Sequence, residues 1–418
     1  MMDTVKITKA PTGGTINAII SKSAAHRLLI AGFISDLDIT ECCKGLSDDI
    51  TATKICLEEL CEAKDGTDKI CNLHCGMSAS TLRFLMPLAS ALGIECDFVC
   101  EGGLEDRPMD PYIEALAKRG CRIEGHNPKH ISGKLTSGTF EIPGSISSQF
   151  ITGLLIALPI LEGDSTVVVV GKIESRPYVD LTLQVLDTAG IEIQEEEGEE
   201  FSEFFIKGGQ KYALPENELQ DIEGDWSNVA FWIVMDTMLR IRDGDPEGMA
   251  RERISFRGLN PISAQGDKAV VPIVDNLLTA KENEMAIELD IDVADTPDLV
   301  PALAVLACAR PEGSVTHIIN AERLRYKETD RLRAITEVLS ELGADIKESK
   351  DSLTIKSKGR LAGGEVDSFG DHRIAMMAAT AACISDGPVT ITNAKAVSKS
   401  YPNFYKDYQR LGGKLQWL

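Results

Sequence analysis

Five short segments of the sequence place lysine or arginine directly beside serine, aspartate or glutamate. They begin at Ser21 (SKSAAHR), Asp106 (DRPM), Arg325 (RYKETDR), Asp371 (DHR) and Lys399 (KSYP). The whole chain is acidic, since 43 Lys and Arg stand against 65 Asp and Glu and give a net charge of −22. Basic side chains concentrated at a few positions of an acidic protein should form positive pockets. Such pockets suit small anions that carry several charges, such as phosphates and carboxylates.

Polar clusters also precede six strongly apolar runs, which begin at Ser21, Gly76, Gly144, Gly224, Asp295 and Gly370. The runs lack a polar stripe, and this predicts helices that are buried on all sides. A helix N-terminus has free N–H groups and the positive end of the helix dipole, so it favours anions. Ser and Asp at such positions also serve as simple N-caps. Both interpretations stay open, and Lys22, Arg27, Arg83 and Arg373, within a turn or two of these starts, favour anion sites.

An amphipathic helical segment and short β-like runs, such as STVVVV and PVTITNA, follow the apolar runs. The pattern predicts a unit of roughly strand–helix–strand–helix–strand that occurs six times. A buried first helix and an outer second helix in each unit favour two domains of three units. We therefore expect a mixed α/β (α+β) fold, with the change of domain between Ile222 and Trp226.

Composition and missing motifs exclude several classes of protein. The net charge of −22 argues against nucleic-acid binding, which requires a basic face. The longest apolar run, Phe150–Leu161, is shorter than the ~20 residues that span a bilayer, and the N-terminus lacks a secretory h-region. P-loop, G-x-G-x-x-G, G-x-S-x-G and H-E-x-x-H motifs are absent. We expect a cytoplasmic protein without nucleic-acid, membrane or nucleotide-cofactor partners.

The cysteines need a separate interpretation. Nine of the eleven precede residue 122, at positions 42, 43, 56, 61, 71, 75, 96, 100 and 121. A disulfide framework does not fit a long chain without a signal peptide. The segment Cys71-Asn-Leu-His74-Cys75 resembles one half of a metal site, but it lacks a C-x-x-C pair and a second cluster of ligands. We expect buried thiols that act as small hydrophobic groups, and no metal.

Ten fragments together resemble one known family. They are, in order, SKSAAHR, STLR, DRPM, SSQF, ESRPY, GDWS, PDLVP, LRYKETDRL, GDHRIAM and SKSYPNF. In this order and spacing they resemble the 5-enolpyruvylshikimate-3-phosphate synthases (3-phosphoshikimate 1-carboxyvinyltransferases) of the enolpyruvyl transferase family. The resemblance implies two similar domains, each of three βαβαββ units with buried central helices, the inside-out barrel of that family. One domain would hold residues 1–20 and 223–418, and the other would hold residues 21–222.

The resemblance also implies the reaction. In the family, the enolpyruvyl group of phosphoenolpyruvate is transferred to the 5-hydroxyl of shikimate 3-phosphate, and phosphate is released. The reaction is an addition followed by an elimination in the cleft between the two domains, on the route to chorismate and the aromatic amino acids. The resemblance further implies a cytoplasmic monomer that needs neither a metal nor an organic cofactor.

Individual roles follow from matched positions. The residues that match the family's shikimate 3-phosphate site are Lys22, Ser23, Arg27, Ser147, Ser148, Gln149, Ser175, Tyr178, Asp298 and Lys327. Those that match its phosphoenolpyruvate site are Lys22, Ala79, Arg107, Gln149, Arg331, Arg373 and Lys399. Asp298 is implied as the base for the hydroxyl proton. Glu328 and Lys22 match groups near the methylene carbon and the leaving phosphate, and which of them is the acid stays open.

The sequence departs from the family pattern at a few positions. Ile19-Ile20 replaces a usual Pro-Gly, and Met77, Ala79 and Arg323 replace a usual Asn, Gly and Asn. The methyl group of Ala79 should crowd glyphosate, an inhibitor of the family that is longer than phosphoenolpyruvate. We therefore expect greater tolerance of glyphosate.

The sequence leaves two alternatives. The sister enzyme, UDP-N-acetylglucosamine enolpyruvyl transferase, shares the fold and carries a Cys five residues before an Arg-Pro pair. In this chain, Gly102 holds that position before Arg107-Pro108. The second alternative is a degenerate subunit that binds but does not catalyse. Such a subunit should have lost its chemical residues first, yet Lys22 and Asp298 are both present.

Overall fold

The computed structural model describes residues 3–42, 46–64, 70–198, 200–244, 254–279 and 288–418. The chain divides into two compact units. The N-terminal unit is Ile20–Glu223, and the C-terminal unit combines Met1–Ile19 with Gly224–Leu418. Cys43, one of the predicted thiols, lies outside the described residues.

The N-terminal unit alternates helices and short strands. Its helices are α1 (Lys22–Ile34), α2 (Asp48–Lys64), α3 (Ala79–Leu92), α4 (Asp110–Ala117), α5 (Ser148–Ala157) and α6 (Arg176–Thr188). Its strands are β3 (Cys71–Gly76), β4 (Cys96–Cys100), β5 (Arg122–Glu124), β6 (Lys129–Ser132), β7 (Thr139–Pro143), β8 (Ser165–Val170), β9 (Ile193–Glu197) and β10 (Phe201–Ile206).

The C-terminal unit begins with two strands from the start of the chain, β1 (Val5–Lys9) and β2 (Gly14–Asn17). Its helices are α7 (Trp226–Asp243), α8 (Val270–Thr279), α9 (Val300–Cys308), α10 (Arg331–Glu341), α11 (His372–Ala381) and α12 (Phe404–Arg410). Its other strands are β11 (Ile254–Arg257), β12 (Glu288–Asp292), β13 (Val315–Ile319), β14 (Asp345–Glu348), β15 (Leu353–Lys356), β16 (Gly364–Asp367), β17 (Val389–Thr392) and β18 (Lys414–Trp417).

Four sheets of four strands share one plan, with the strand orders β3-β4-β6-β5, β7-β8-β10-β9, β12-β13-β15-β14 and β16-β17-β1-β18. In each sheet the first two strands are parallel and are connected through a helix, which a parallel pair requires. The remaining neighbours are antiparallel. The predicted α/β class is confirmed, and the order βαβαββ recurs.

The connecting helices are the predicted apolar runs. All nine residues of α9 and all ten residues of α11 are buried. A helix that is apolar on every side removes the most surface from water when other elements surround it completely. The second helices, such as α10, bury one face and expose the other.

The first repeat of each unit differs from the prediction of six equal repeats. Its buried and outer helices are present, as α1 with α2 and α7 with α8. Among the described residues, however, neither pair has a four-stranded sheet of its own, and β11 pairs only with β2, in parallel. The β-like runs that support the repeat pattern come from the other four repeats.

Polar residues cap the N-termini of the helices that the apolar runs form. Ser21, Ser78 and Ser147 accept hydrogen bonds from the backbone N–H groups of Ala24, Thr81 and Gln149, each at 3.3 Å. Asp225 and Asp371 cap α7 and α11, each at 2.8 Å. The interpretation of these residues as N-caps is therefore confirmed. The side chains that follow each cap lie in the first helical turn.

The prediction of buried thiols holds for eight of the ten described cysteines, but Cys42 is half-buried and Cys61 is exposed on α2, an outer helix with one face in solvent. Along β3, alternate residues face opposite sides, so Cys71 and Cys75 are buried while His74 is exposed. Among the described residues, no three His, Cys, Asp or Glu side chains come together as a metal site would require. None of the helices in the described ranges is long and apolar enough to cross a membrane.

The core of the N-terminal unit contains a histidine, His26 on α1. Its Nδ1 lies 2.7 Å from Oγ1 of Thr53, and its ring meets Phe84 edge-on. Burial lowers the pKa of His26 to about 3; Lys22 and Arg27 also lower it, while Asp49 opposes them. The folded unit therefore holds a neutral imidazole, whereas the unfolded chain takes up a proton near its ordinary pKa of 6.5.

We predict that this histidine makes the N-terminal unit sensitive to acid. Because the unfolded state binds the extra proton, stability falls as the pH drops below 6.5. The fall approaches about 1.4 kcal/mol per pH unit. Wild type should lose about 1.4 kcal/mol more than His26→Gln between pH 7.5 and 5.5.

Urea unfolding, followed by circular dichroism, tests this prediction. Tryptophan fluorescence would not report on the N-terminal unit, because all three tryptophans belong to the C-terminal unit. The exposed His74, changed to Gln, is the matched control and should keep the wild-type pH dependence. An identical pH dependence in wild type and His26→Gln would contradict the prediction.

Candidate active site

The C-terminal unit contains a buried ion-pair network centred on Arg331, whose side chain is 1% exposed. Its Nε donates to Asp371 at 2.7 Å, Nη1 donates to Asp298 at 2.9 Å and Nη2 donates to Glu328 at 2.7 Å. One guanidinium group therefore fixes three carboxylates at once. Such planar, charge-assisted contacts are the strongest hydrogen bonds that a side chain makes.

Three more predicted residues join this network. Arg373 donates through Nη2 to Oδ2 of Asp298 at 2.9 Å. Lys399 lies 3.3 Å from Oε1 of Glu328, and Lys327 lies 3.7 Å from Oδ1 of Asp298. Every residue that the family resemblance assigns in the C-terminal unit is therefore in one cluster.

Helix starts bring these side chains together. Arg331 is the first residue of α10, Arg373 is the second residue of α11, and Asp298 lies in a 3₁₀ turn, Pro297–Leu299, directly before α9. Since α9, α10 and α11 pack against one another, their N-terminal ends present these groups to a common region. Asp371 has two roles, because it caps α11 through Oδ1 and binds Arg331 through Oδ2.

The charges set the state of Asp298. Burial alone raises the pKa of Asp298, but Arg373, Lys327 and Arg331 together outweigh burial and hold that pKa well below its ordinary value. Partial burial lowers the pKa of Lys327, and Asp298 opposes that shift. Asp298 is therefore an ionised carboxylate surrounded by cations, which suits a proton acceptor rather than a proton donor.

Arg323, one of the departures from the family pattern, has a structural position beside this cluster. It lies in a 3₁₀ helix, Glu322–Tyr326, and its Nη2 donates to the backbone carbonyl oxygen of Ala294. Ala294 precedes Asp298 by four residues. Arg323 thus connects the segment that leads to Lys327 with the segment that leads to Asp298.

In the N-terminal unit, Lys22 pairs with Asp49. Lys22 is the first residue of α1, and its Nζ lies 2.7 Å from Oδ2 of Asp49, which is 6% exposed. The sequence pattern did not identify Asp49, because its only local signal is an acidic pair, Asp48-Asp49, at the start of α2. The pair holds the ammonium group in one place, with 18% of the Lys22 side chain exposed.

Arg27 is largely committed to contacts within the protein. Its Nε donates to Thr182 at 2.8 Å, Nη1 donates to the carbonyl oxygen of Ser23 at 2.6 Å, and Nη2 donates to the carbonyl oxygen of Tyr178 at 2.9 Å and to Thr152 at 3.3 Å. These contacts leave one N–H of Nη1 for a ligand. Arg27 therefore ties α1 to α5 and α6.

Gln149 belongs to a second network, which includes Arg83. Its Oε1 accepts from Nη1 of Arg83 at 2.7 Å, and its Nε2 donates to Ser80 at 2.9 Å. Arg83 also donates to Ser147 and to the carbonyl oxygen of Pro108, each at 3.4 Å. Arg83 thus connects α3, α5 and the segment that carries Arg107, and the resemblance had given Arg83 no role.

Close packing of α3 and α5 makes this network possible. A Cβ on Gly153 would overlap the Tyr112 hydroxyl and the carbonyl oxygen of Arg83, so only glycine lets the two helices approach this closely. The Tyr112 hydroxyl donates to that same carbonyl oxygen at 2.8 Å.

The other predicted residues of this unit lie at helix starts or in a loop. Ser23, Ser148 and Ala79 fall in the first turns of α1, α5 and α3. Ser175 precedes α6 in the left-handed conformation, at φ +56°, and Tyr178 follows in the first turn. Ser175 and Ser148 are buried, whereas the others are half-buried.

Arg107 lies at the end of a 3₁₀ helix, Leu104–Asp106. It is half-buried, and its guanidinium group has no hydrogen bond or ion pair with any described residue. Met77 packs against Gly102 in the same loop, where a Cβ would fall 2.6 Å from the Met77 Cε. The Met77 side chain therefore fills the space that a side chain at position 102 would need.

Comparisons with known proteins identify the family of the chain. The family model for EPSP synthase (3-phosphoshikimate 1-carboxyvinyltransferase) matches residues 7–408. A 3-phosphoshikimate 1-carboxyvinyltransferase of Clostridium kluyveri is 39% identical over 100% of this chain and 99% of its own length. One from Brachyspira hyodysenteriae is 34% identical over 99% of both chains.

Among solved structures, an EPSP synthase from Acinetobacter baumannii has the same fold. It superposes with a TM-score of 0.71 over 99% of both chains, at 20% sequence identity. The family that the ten sequence fragments predicted is confirmed, and the chain belongs to the EPSP synthase (3-phosphoshikimate 1-carboxyvinyltransferase) family.

Proposed function

We propose that this protein transfers the enolpyruvyl group of phosphoenolpyruvate to the 5-hydroxyl of shikimate 3-phosphate, with release of phosphate. The observation that carries the proposal is the network around Arg331, in which an ionised carboxylate, Asp298, lies among three cations, Lys327, Arg331 and Arg373. Family membership over nearly the whole chain supports the same reaction. It also supports a monomeric, cytoplasmic enzyme that acts on small molecules.

Phosphoenolpyruvate carries a carboxylate and a phosphate, and both suit guanidinium groups. Arg107, Arg373 and Lys399 are assigned to it, and Arg373 and Lys399 also pair with Asp298 and Glu328. Arg331 spends most of its donors on carboxylates, which leaves one N–H of Nη1 for the substrate. The main role of Arg331 is therefore to orient the neighbouring carboxylates, and its contact with substrate is a smaller role.

We assign the binding of shikimate 3-phosphate to the residues at the helix starts of the N-terminal unit. Ser147, Ser148 and Ser175 offer hydroxyl donors to its phosphate, at the N-terminal ends of α5 and α6, where the helix dipole favours an anion. Gln149, held by Arg83 and Ser80, presents an oriented amide. Ser23, Tyr178 and the remaining N–H of Arg27 are assigned to the ring and its carboxylate.

The proton transfers are assigned by charge. Asp298 accepts the proton of the 5-hydroxyl, and its low basicity in the free protein rises when substrate anions neutralise Arg373 and Lys327. Glu328 and Lys22 serve the methylene carbon and the leaving phosphate. Glu328 is held by Arg331 at 2.7 Å and by Lys399 at 3.3 Å. As an ion-paired carboxylate, it must gain a proton before it can donate one to the methylene carbon.

A phosphate-release assay tests the proposed function. The protein should release phosphate from phosphoenolpyruvate with shikimate 3-phosphate as acceptor, and should release none with UDP-N-acetylglucosamine. Asp298→Asn should lower kcat by about 10²–10⁴, whereas Asp345→Asn, at an exposed position of β14, should leave it unchanged. No turnover with shikimate 3-phosphate would overturn the proposal.

Arg373 should discriminate between the two substrates. Arg373→Ala removes a charge-assisted contact to the phosphoenolpyruvate carboxylate, which costs about 2–5 kcal/mol. The KM for phosphoenolpyruvate should therefore rise by at least about 30-fold, while the affinity for shikimate 3-phosphate changes little. The exposed Arg360, which pairs with Asp386 at 3.0 Å, is the matched control as Arg360→Ala. Equal weakening of both substrates would show that the assignment of Arg373 is wrong.

Ala79 should protect the enzyme from glyphosate. It begins α3 directly after the N-cap Ser78, and a methyl group that overpacks a filled site costs about 1–3 kcal/mol. Ala79→Gly should therefore lower the inhibition constant for glyphosate by about 5- to 150-fold, with a much smaller change in the KM for phosphoenolpyruvate.

The inhibition constants of wild type and variant, measured against phosphoenolpyruvate, check this expectation. Ala117→Gly, at the exposed end of α4, is the control and should leave glyphosate inhibition as in wild type. Equal and strong inhibition of wild type and Ala79→Gly would contradict the steric argument.

A further inference from the structure

A buried carboxyl group, Asp267, stands close to the network of the C-terminal unit and has no role in the function proposed above. It lies in a 3₁₀ helix, Gly266–Ala269, directly before α8, and is 1% exposed. A carboxylate this deeply buried is costly unless its oxygens are paired. Its surroundings therefore call for an explanation.

Only one of its two oxygens has a partner. The Ser227 hydroxyl, in the first turn of α7, donates to Oδ2. Oδ1 has no hydrogen-bond donor among the described residues. Leaving a buried acceptor unpaired costs about 1–3 kcal/mol, and such groups in native proteins tend to have a functional reason.

The charges that act on Asp267 come from three neighbouring elements. Asp298 before α9, Asp225 at the N-cap of α7 and Arg373 in the first turn of α11 all influence it. Its neighbour Lys268 donates to the carbonyl oxygen of Ser263. Burial raises the pKa of Asp267 to about 7, and Asp298 and Asp225 add to that rise, while Arg373 and the Ser227 hydroxyl oppose it.

The protonation of Asp267 changes the charge balance of the whole cluster. The network contains four cations, Lys327, Arg331, Arg373 and Lys399, and three carboxylates, Asp298, Glu328 and Asp371. When Asp267 is neutral, one positive charge is in excess and attracts an anion. When Asp267 is ionised, it cancels that excess next to Arg373.

We propose that Asp267 is a positioning residue whose protonation controls how strongly Arg373 binds the carboxylate of phosphoenolpyruvate. This inference rests on the proposed function, since it assumes that Arg373 is the carboxylate site. It acts through the arrangement of Arg373 and Asp298, and Asp267 itself does not touch substrate. Protonated Asp267 favours the bound state, and ionised Asp267 weakens it.

Linkage makes the proposal measurable. If protonation strengthens binding, then binding must promote protonation by the same factor. Phosphoenolpyruvate should therefore draw a proton onto Asp267 in the pH range where the free enzyme has lost it. A residue with a purely structural role would produce no such proton uptake.

The first measurement is the pH profile of the KM for phosphoenolpyruvate, from pH 6 to 9, at saturating shikimate 3-phosphate. In wild type the KM should rise about 5- to 20-fold more than in Asp267→Asn, whose amide keeps an acceptor for Ser227 and cannot ionise. Asp275→Asn, at an exposed position of α8, is the matched control and should follow wild type. The comparison removes the titration of phosphoenolpyruvate itself, because all proteins meet the same substrate.

A second variant keeps the proposal falsifiable if Asp267→Asn does not fold. Ser227→Ala removes the hydrogen bond that favours ionised Asp267. The pH at which the KM for phosphoenolpyruvate rises should therefore be higher in this variant than in wild type. A general loss of structure would shift it in the opposite direction. A rise at the wild-type pH or below it would overturn the proposal.

Calorimetry in buffers of different ionisation enthalpy measures the proton directly. Phosphoenolpyruvate is titrated at pH 8 without shikimate 3-phosphate, so that no turnover occurs, and wild type should take up more protons on binding than Asp267→Asn does. Equal proton uptake in the two proteins would overturn the inference. Failure of the proposed function has a different signature, namely no phosphate release by wild type at any pH.

Discussion

The buried contacts of Arg331 are the constraint on which the candidate site depends. A guanidinium group that is 1% exposed, with carboxylates at 2.7–2.9 Å, cannot be left with an unpaired neighbour without a large cost. A network of this kind adds little to stability compared with an apolar core, but it specifies where each charge lies. Asp298, Glu328 and Asp371 are fixed by the same group, so the cations that pair with them, which we propose to bind the substrate anions, are held in position.

The helix caps and the residues proposed to bind substrate belong to the same short segments. Ser147 accepts from a backbone N–H of α5 and also contacts Arg83. Asp371 caps α11 and binds Arg331. The apolar runs behind these caps have no polar face, so they lie inside a unit, and most of their caps are buried with them, since Ser78 is 1% and Asp371 0% exposed. The burial of the helices and the position of the charged groups thus have one cause.

The sequence predicted local features well and contacts between distant segments poorly. The buried helices and their caps follow from periodicity and residue type within about a dozen residues, and the family follows from the order of ten fragments. The partnerships of Lys22 with Asp49, of Arg83 with Gln149 and of Asp267 with Ser227 join residues 27, 66 and 40 positions apart. No local pattern marks such pairs, because they depend on how helices pack. The prediction of a sheet in the first and fourth repeats was wrong for the same reason, because strand pairing is not local.

Met77 and Gly102 show how a departure from a family pattern is absorbed. Met77 replaces a residue that can donate a hydrogen bond, yet its side chain packs on a position where a Cβ would approach its Cε to 2.6 Å. Gly102 also adopts a φ of +62°, which disfavours any side chain there. A cysteine at position 102, as in the sister enzyme, would therefore meet both a backbone strain and the Met77 side chain. The loop that carries Arg107 is thus shaped by a contact that favours glycine, and the chemistry left to this loop is the charge of Arg107.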